Sequence, residues 1–125
     1  MDKISQSEKL VDNYLNEVSG MVGYTEIKAK ADVLMTTCIQ QKCENMQNKF
    51  DQKICKLTCA ITSKLRAVTE FTNTRRSCGN DEKCIHKYTT AIEKYQEKIV
   101  KLKENLTKAR QDKVDHIAAL AKAVS

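Results

Sequence analysis

Turn-forming residues are scarce in this sequence, which has no proline and three glycines, Gly20, Gly23 and Gly79. Sheets built from hairpins need glycine, asparagine and proline at their turns, whereas long helices do not. Tryptophan is absent, and no apolar run approaches the ~18 residues of a membrane-spanning helix. The composition therefore predicts a single all-α domain over residues 1–125, without a transmembrane segment.

Basic residues outnumber acidic ones and give a net charge of +6, with the excess in the second half of the chain. Residues 1–50 carry a net charge of −1, whereas residues 51–87 carry +4 and residues 88–125 carry +3. Acids are interleaved with the lysines throughout, which is typical of a solvated helical surface. A nucleic-acid interface would show a denser basic stripe with aromatic rings, so the sequence argues against a nucleic-acid partner.

Apolar residues recur at helical spacing in four segments, which predicts helices over approximately residues 4–18, 25–44, 52–73 and 82–122. The stripe of the third segment consists of Ile54, Leu57, Ile61, Leu65, Val68 and Phe71. We therefore predict an elongated helical bundle of about four helices, stapled by disulfides, with a long heptad-patterned helix at the C-terminal end.

The C-terminal segment has the most regular pattern, with apolar residues at alternating spacings of three and four. Its heptad positions are Ile85, Tyr88, Ile92, Tyr95, Ile99, Leu102, Leu106 and Ala109. Lys113 and His116 interrupt this seam, and the pattern resumes one residue later. The resumed positions are Val114, Ile117, Ala121 and Val124. A helix over residues 82–122 would be about 60 Å long, so we expect it to pack against two successive helices, to bend, or to pair with another chain.

All six cysteines lie in the middle of the chain. They are Cys38, Cys43, Cys55, Cys59, Cys78 and Cys84. An even number of cysteines in a small chain predicts a disulfide framework and an oxidising compartment. Six cysteines can pair in about 15 ways, so the sequence alone leaves the connectivity open.

Cysteine spacing favours one pairing among these. Cys55 and Cys59 lie one turn apart on the same helix face, and the eleven residues between Cys43 and Cys55 fit an antiparallel helical hairpin. The last two cysteines flank the turn-forming residues 79–81 and can close on each other. The predicted bridges are Cys38–Cys59, Cys43–Cys55 and Cys78–Cys84.

The spacing Cys38-x4-Cys43-x11-Cys55-x3-Cys59 resembles the paired-cysteine helical hairpins of the small mitochondrial intermembrane-space chaperones and of the plant α-hairpinin peptides. Both families use C-x3-C twice, whereas this chain has four residues within its first pair and adds a third pair and a long terminal helix. The resemblance covers about 22 residues and implies a helical hairpin.

Motifs for catalysis or for metal and cofactor binding do not stand out. The chain has no C-x2-C pair of the kind found in zinc and redox sites, and no Gly-rich phosphate loop. We therefore predict no catalytic residue, no metal and no cofactor. A single Asn-x-Ser/Thr sequon makes Asn105 a candidate glycosylation site.

One face of the last helix is the candidate surface for a partner or an apolar ligand. Its residues are Tyr88, Ile92, Tyr95 and Ile99. We predict a secreted, non-catalytic binding or effector protein that engages a protein or another extracellular macromolecule through its helical surface. The polar residues from Met1 to Ser5 do not resemble a signal peptide, so this prediction takes Met1 as an addition to a mature chain.

Three alternative functions remain open at this point. The chain could carry a fatty acid or another small hydrophobic ligand between its helices. It could be a twin-cysteine hairpin helper of the mitochondrial intermembrane space, which needs no cleaved signal and would keep Met1 as a native residue. It could also be a coiled-coil structural protein that forms a homodimer through residues 85–109.

Overall fold

The computed structural model describes residues 23–124, which form three α-helices and no strand. Helix α1 spans Tyr24–Lys42, α2 spans Lys49–Arg76 and α3 spans Glu82–Val124. The prediction of an all-α fold is confirmed for these residues. The helix predicted over residues 4–18 lies outside the described residues, so the fourth helix stays a prediction. Within the described range, every helix is too short or too polar to cross a lipid bilayer.

Capping residues set the helix boundaries. α2 begins at Lys49 rather than at the predicted residue 52, because the Asn48 side chain caps the helix. Its Oδ1 atom accepts hydrogen bonds from the backbone N–H groups of Phe50 and Asp51, at 2.9 and 3.1 Å. Asp81 caps α3 in the same way, accepting hydrogen bonds from the backbone N–H groups of Lys83 and Cys84. Gly79 has a φ of +61° in the turn before this cap, a conformation that glycine adopts without strain.

Successive helices run antiparallel, joined by residues 43–48 and 77–81. Phe71, near the end of α2, contacts Tyr88 near the start of α3. Phe50, at the start of α2, contacts His116 near the end of α3. α2 is therefore the central helix of the bundle and packs against both of its neighbours.

Four aromatic rings join the three helices at one end of the bundle. The ring centroid of Phe71 in α2 lies 5.5 Å from that of Tyr24 in α1. The same centroid lies 6.2 Å from that of Tyr88 and 5.2 Å from that of Tyr95, both in α3. Phe71 is 0% exposed, and all three tyrosines are buried. We call these four residues the aromatic cluster.

A second apolar cluster joins α2 to α3 along the other half of the bundle. Its buried members are Leu57, Ala60, Ile61, Ile99, Leu102 and Ala109. The predicted stripe of α2 is wrong at one position, because Leu65 is 46% exposed whereas Lys64 is 2% exposed. The buried residues Leu57, Lys64 and Phe71 are spaced seven apart, which is about two helical turns, so they lie on one face. Leu65 is one residue further along and therefore points about 100° away from that face.

The heptad residues of α3 contact this chain's own helices. Every predicted heptad position from Tyr88 to Leu102 is buried, and so is Ala109. α1 and α2 supply the residues that cover them. A homodimer through residues 85–109 would need these same side chains, which are already occupied within one chain.

Beyond Ala109 the apolar seam of α3 is exposed to solvent. The resumed positions Val114, Ile117, Ala121 and Val124 are all exposed. α2 starts level with His116, whose ring centroid lies 4.8 Å from that of Phe50, so α3 extends past the end of α2. We call residues 117–124, all of them exposed, the tip.

Candidate functional site: a groove beside two disulfides

The six cysteines form three disulfides, and none is free. The bridges are Cys38–Cys59, Cys43–Cys55 and Cys78–Cys84. These are the three pairs that the spacing predicts. Two of them link the C-terminal end of α1 to the first half of α2, and the third closes the turn between α2 and α3.

The two disulfides between α1 and α2 touch each other. The Sγ atom of Cys43 lies 3.8 Å from the Sγ atom of Cys59, and both residues are buried. The sulfurs of Cys43, Cys55 and Cys59 lie within 4.8 Å of one another, close enough for a metal ion to contact all three. Metal ions bind thiolates, however, and each of these sulfurs is part of a disulfide. The arrangement therefore serves as a staple in this oxidised form.

We call the Cys38–Cys59 and Cys43–Cys55 bridges the double staple. An open groove of about 580 Å³ lies beside them, between the end of α1 and the first half of α2. The apolar residues that line it are Cys38, Met46, Ile54, Cys55 and Cys59. We call it the disulfide groove. Its volume falls in the range of ligand pockets, about 300–1,000 Å³, but it opens to solvent and does not enclose its contents.

Most polar groups of the disulfide groove are already bonded within the chain. The Thr58 hydroxyl donates to the carbonyl oxygen of Ile54 at 2.8 Å, and the Thr62 hydroxyl donates to that of Thr58 at 2.9 Å. The Asp51 carboxylate accepts a hydrogen bond from Lys113 of α3. Lys42, exposed at the rim, adds a positive charge. The groove therefore suits apolar groups of a partner, with an acidic group near Lys42.

The predicted partner face lies in the core instead of on the surface. Tyr88, Ile92, Tyr95 and Ile99 are all buried, and the two tyrosine rings contact Phe71. Burial raises the pKa of the Tyr88 hydroxyl. In this conformation the four side chains pack inside the bundle and are not available as a surface.

The glycosylation candidate, Asn105, is exposed on α3. The hydroxyl of Thr107, the third residue of the sequon, donates to the backbone carbonyl oxygen of Lys103 at 3.1 Å. A glycan on Asn105 would therefore extend into solvent from a regular helix, and glycosylation stays a prediction.

The disulfide groove was not identified from the sequence. Its walls come from two helices and the loop between them, which are brought together only by the hairpin. A signal was nonetheless present on α2, because Cys55, Thr58, Cys59 and Thr62 recur at spacings of three and four. This pattern marks a second helix face of small side chains beside the apolar seam.

The buried Lys98 of α3 is expected to make the free energy of unfolding depend on pH. Burial removes water from the ammonium group and lowers the pKa of Lys98 to about 7, compared with about 10.4 in an unfolded chain. Between these values the unfolded chain binds more protons than the folded one, so the free energy of unfolding rises as the pH increases from about 7 toward 10. Lys98→Met is expected to remove this rise.

The measurement for this prediction is urea unfolding of the wild type and Lys98→Met at about pH 7 and about pH 8.5, where tyrosine hydroxyls remain protonated. The control is Lys101→Met, at an exposed position of the same helix. An identical rise in the wild type and Lys98→Met would contradict the assignment to Lys98.

No protein-family model, curated protein or solved structure matches this chain.

Proposed function

We propose that this chain is a secreted, non-catalytic binding protein that engages another macromolecule through its helical surface, at the disulfide groove. The observation that carries the proposal is the apolar floor of this groove, which two touching disulfides fix between α1 and α2. A preformed concavity whose exposed surface is mostly apolar is a favoured binding site. A rigid floor also reduces the entropy that binding costs.

The chemistry of the groove defines the partner that fits it. Apolar side chains of the partner would cover Ile54 and Met46, and a carboxylate would approach Lys42 at the rim. Because the groove is open along one side, it contacts a protruding segment of a macromolecule better than it encloses a small molecule. The alternative of a fatty-acid carrier has less support, since carriers bury most of the ligand surface.

Three disulfides in a chain of this size support an oxidising compartment, and we propose the extracellular space. The antiparallel hairpin of α1 and α2 also agrees with the alternative, a helper of the mitochondrial intermembrane space. We favour secretion because the Cys78–Cys84 bridge and the long α3 have no counterpart in that hairpin pattern.

Thr58→Arg is expected to weaken partner binding by roughly 30-fold or more, because a long charged side chain would fill an apolar contact site. Thr69→Arg is the matched control. Both threonines are exposed on α2 and donate their hydroxyl to the carbonyl oxygen one turn earlier, but Thr69 does not line the groove. The measurement is binding of protein labelled at its N terminus to an array of extracellular protein domains and glycans.

A partner that binds the wild type and Thr69→Arg but not Thr58→Arg would support the proposal. An array without any binding partner, or partners that bind both variants equally, would refute it. Circular dichroism of the two variants shows whether each keeps its helices, since both substitutions are at exposed positions.

A further inference from the structure

Four cysteines from two helices meet at the double staple. The Sγ atom of Cys43 lies 3.8 Å from the Sγ atom of Cys59, which belongs to the other bridge. The Sγ atom of Cys55 lies within 4.8 Å of both, and Cys38 is held at the same place by its bond to Cys59. Cys43 and Cys59 are buried, at 0% and 2% exposure. The antiparallel hairpin therefore collects four sulfur atoms in one place and shields two of them from water.

The spacing of these sulfurs matches a metal site with four thiolates. Zinc binds thiolate sulfur at about 2.3 Å in tetrahedral geometry, so two neighbouring sulfurs of such a site lie about 3.8 Å apart. This is the distance between the sulfurs of Cys43 and Cys59. Once a bridge is reduced, rotation about χ1 can separate its two sulfurs to a similar distance. A donor set of thiolates alone favours Zn²⁺ over Mg²⁺ or Ca²⁺.

We propose that the reduced form of this chain binds one Zn²⁺ ion through the four cysteines of the double staple, Cys38, Cys43, Cys55 and Cys59. Every chain is reduced when it is synthesised, before its bridges form. Starting from the oxidised protein, a dithiol supplies two electrons and two protons to each bridge and becomes a disulfide itself. Binding of Zn²⁺ then releases the four thiol protons, because the metal binds thiolates. The metal ion and the two bridges are therefore alternative ways to fasten α1 to α2.

This site has no C-x2-C pair because its close contacts come from one helical turn and from a hairpin. Cys55 and Cys59 lie one turn apart on α2, and the facing helix supplies the other two ligands. α2 runs about 25 Å beyond Cys59 before it reaches the third cysteine pair, so Cys78 and Cys84 cannot join the same site. The inference concerns the reduced chain and does not depend on the proposed function.

Titration of the reduced protein with Co²⁺ tests the proposal, because tetrahedral Co²⁺ with thiolate ligands absorbs strongly in the visible range and hydrated Co²⁺ does not. The full chain is reduced with dithiothreitol, which is then removed by gel filtration without oxygen. We expect one Co²⁺ ion per chain with a tetrahedral spectrum, and displacement of this ion by Zn²⁺. The helical circular dichroism signal is expected to rise as the metal binds, since the metal fastens α1 to α2.

Two variants show which cysteines bind the metal. Cys43→Ser removes one ligand of the site and is expected to weaken Co²⁺ binding more than about 100-fold. The control replaces Cys78 and Cys84 with alanine and is expected to bind Co²⁺ like the wild type. The proposal would be overturned by the lack of a tetrahedral spectrum or by a ratio other than one ion per chain. Equal binding by the wild type and Cys43→Ser, or weaker binding by the control, would also overturn it.

Reoxidation of the reduced chain gives an independent measurement that needs no cobalt. One equivalent of Zn²⁺ is expected to delay formation of the two hairpin bridges, whereas the Cys78–Cys84 bridge forms at the same rate with or without the metal. Alkylation of the remaining thiols at successive times, followed by mass spectrometry of peptides, measures each bridge separately. A delay shared equally by all three bridges, or no delay in any of them, would refute the proposed site.

Discussion

Phe71→Ala is expected to destabilise the folded chain by about 3–5 kcal/mol. The Phe71 side chain is fully buried and contacts one tyrosine of α1 and two of α3. Its removal leaves a cavity at the point where all three helices meet, and the surrounding rings cannot close it without moving a helix. Small domains are stable by about 5–15 kcal/mol, so the loss is a large share of the total.

The measurement is urea unfolding followed by circular dichroism, and Phe50→Ala is the control. Phe50 is the other phenylalanine of the chain, and it lies at the opposite end of α2, half-buried against the His116 ring. We expect Phe50→Ala to cost about 1 kcal/mol. Equal losses for the two variants would contradict the assignment of Phe71 to the point where all three helices meet.

Removal of both disulfides between α1 and α2 is expected to have the second large effect. In the loop-entropy model, a bridge that closes a loop of 21 residues stabilises by about 3 kcal/mol. The nested second bridge adds slightly less, because the first has already shortened the free loop, so the pair contributes about 5–6 kcal/mol. The variant replaces Cys38, Cys43, Cys55 and Cys59 with alanine.

Hydrogen exchange of backbone amides shows where this stability is lost. Without the two bridges, α1 is held mainly by Tyr24, Ile27 and Ala31 of its first half, which belong to the aromatic end of the core, and in its second half by the partly buried Met35. We therefore expect the amides of α1 to lose protection while those of α2 and α3 keep most of theirs.

The control variant replaces Cys78 and Cys84 with alanine. It removes a bridge of sequence separation 6 in the turn between α2 and α3, and α1 is expected to keep its protection. If α1 exchanged equally fast in both variants, the double staple would not be what fixes α1 to α2.

Local signals account for the parts of this arrangement that the sequence predicted. The Cys78–Cys84 bridge depends on the turn-forming residues that lie between its two cysteines. The bridges of the hairpin follow from the spacing of four cysteines once two helices are antiparallel. Each of these features is decided by neighbours in sequence or by a single reversal of the chain.

Features that depend on which helix covers which face were not predicted. Periodicity showed that Tyr88 and Tyr95 share an apolar face, but it could not show that Phe71 of the same chain covers them. At the centre of α2, Leu65 and Lys64 both fit a helical stripe, and hydropathy favours leucine. The structure buries Lys64 instead, whose long aliphatic stem can lie along apolar neighbours.

The double staple determines what remains of the protein after a protease cuts the loop between α1 and α2. Residues 44–48 are exposed, as expected for a site where proteases cut. The loop lies inside both hairpin bridges, since Cys38 and Cys43 precede it and Cys55 and Cys59 follow it. A cut between residues 44 and 48 therefore leaves two polypeptides that remain covalently joined at two points, with α1 still fastened to α2. In a fluid that contains proteases, cleavage of this loop would nick the protein without releasing a fragment.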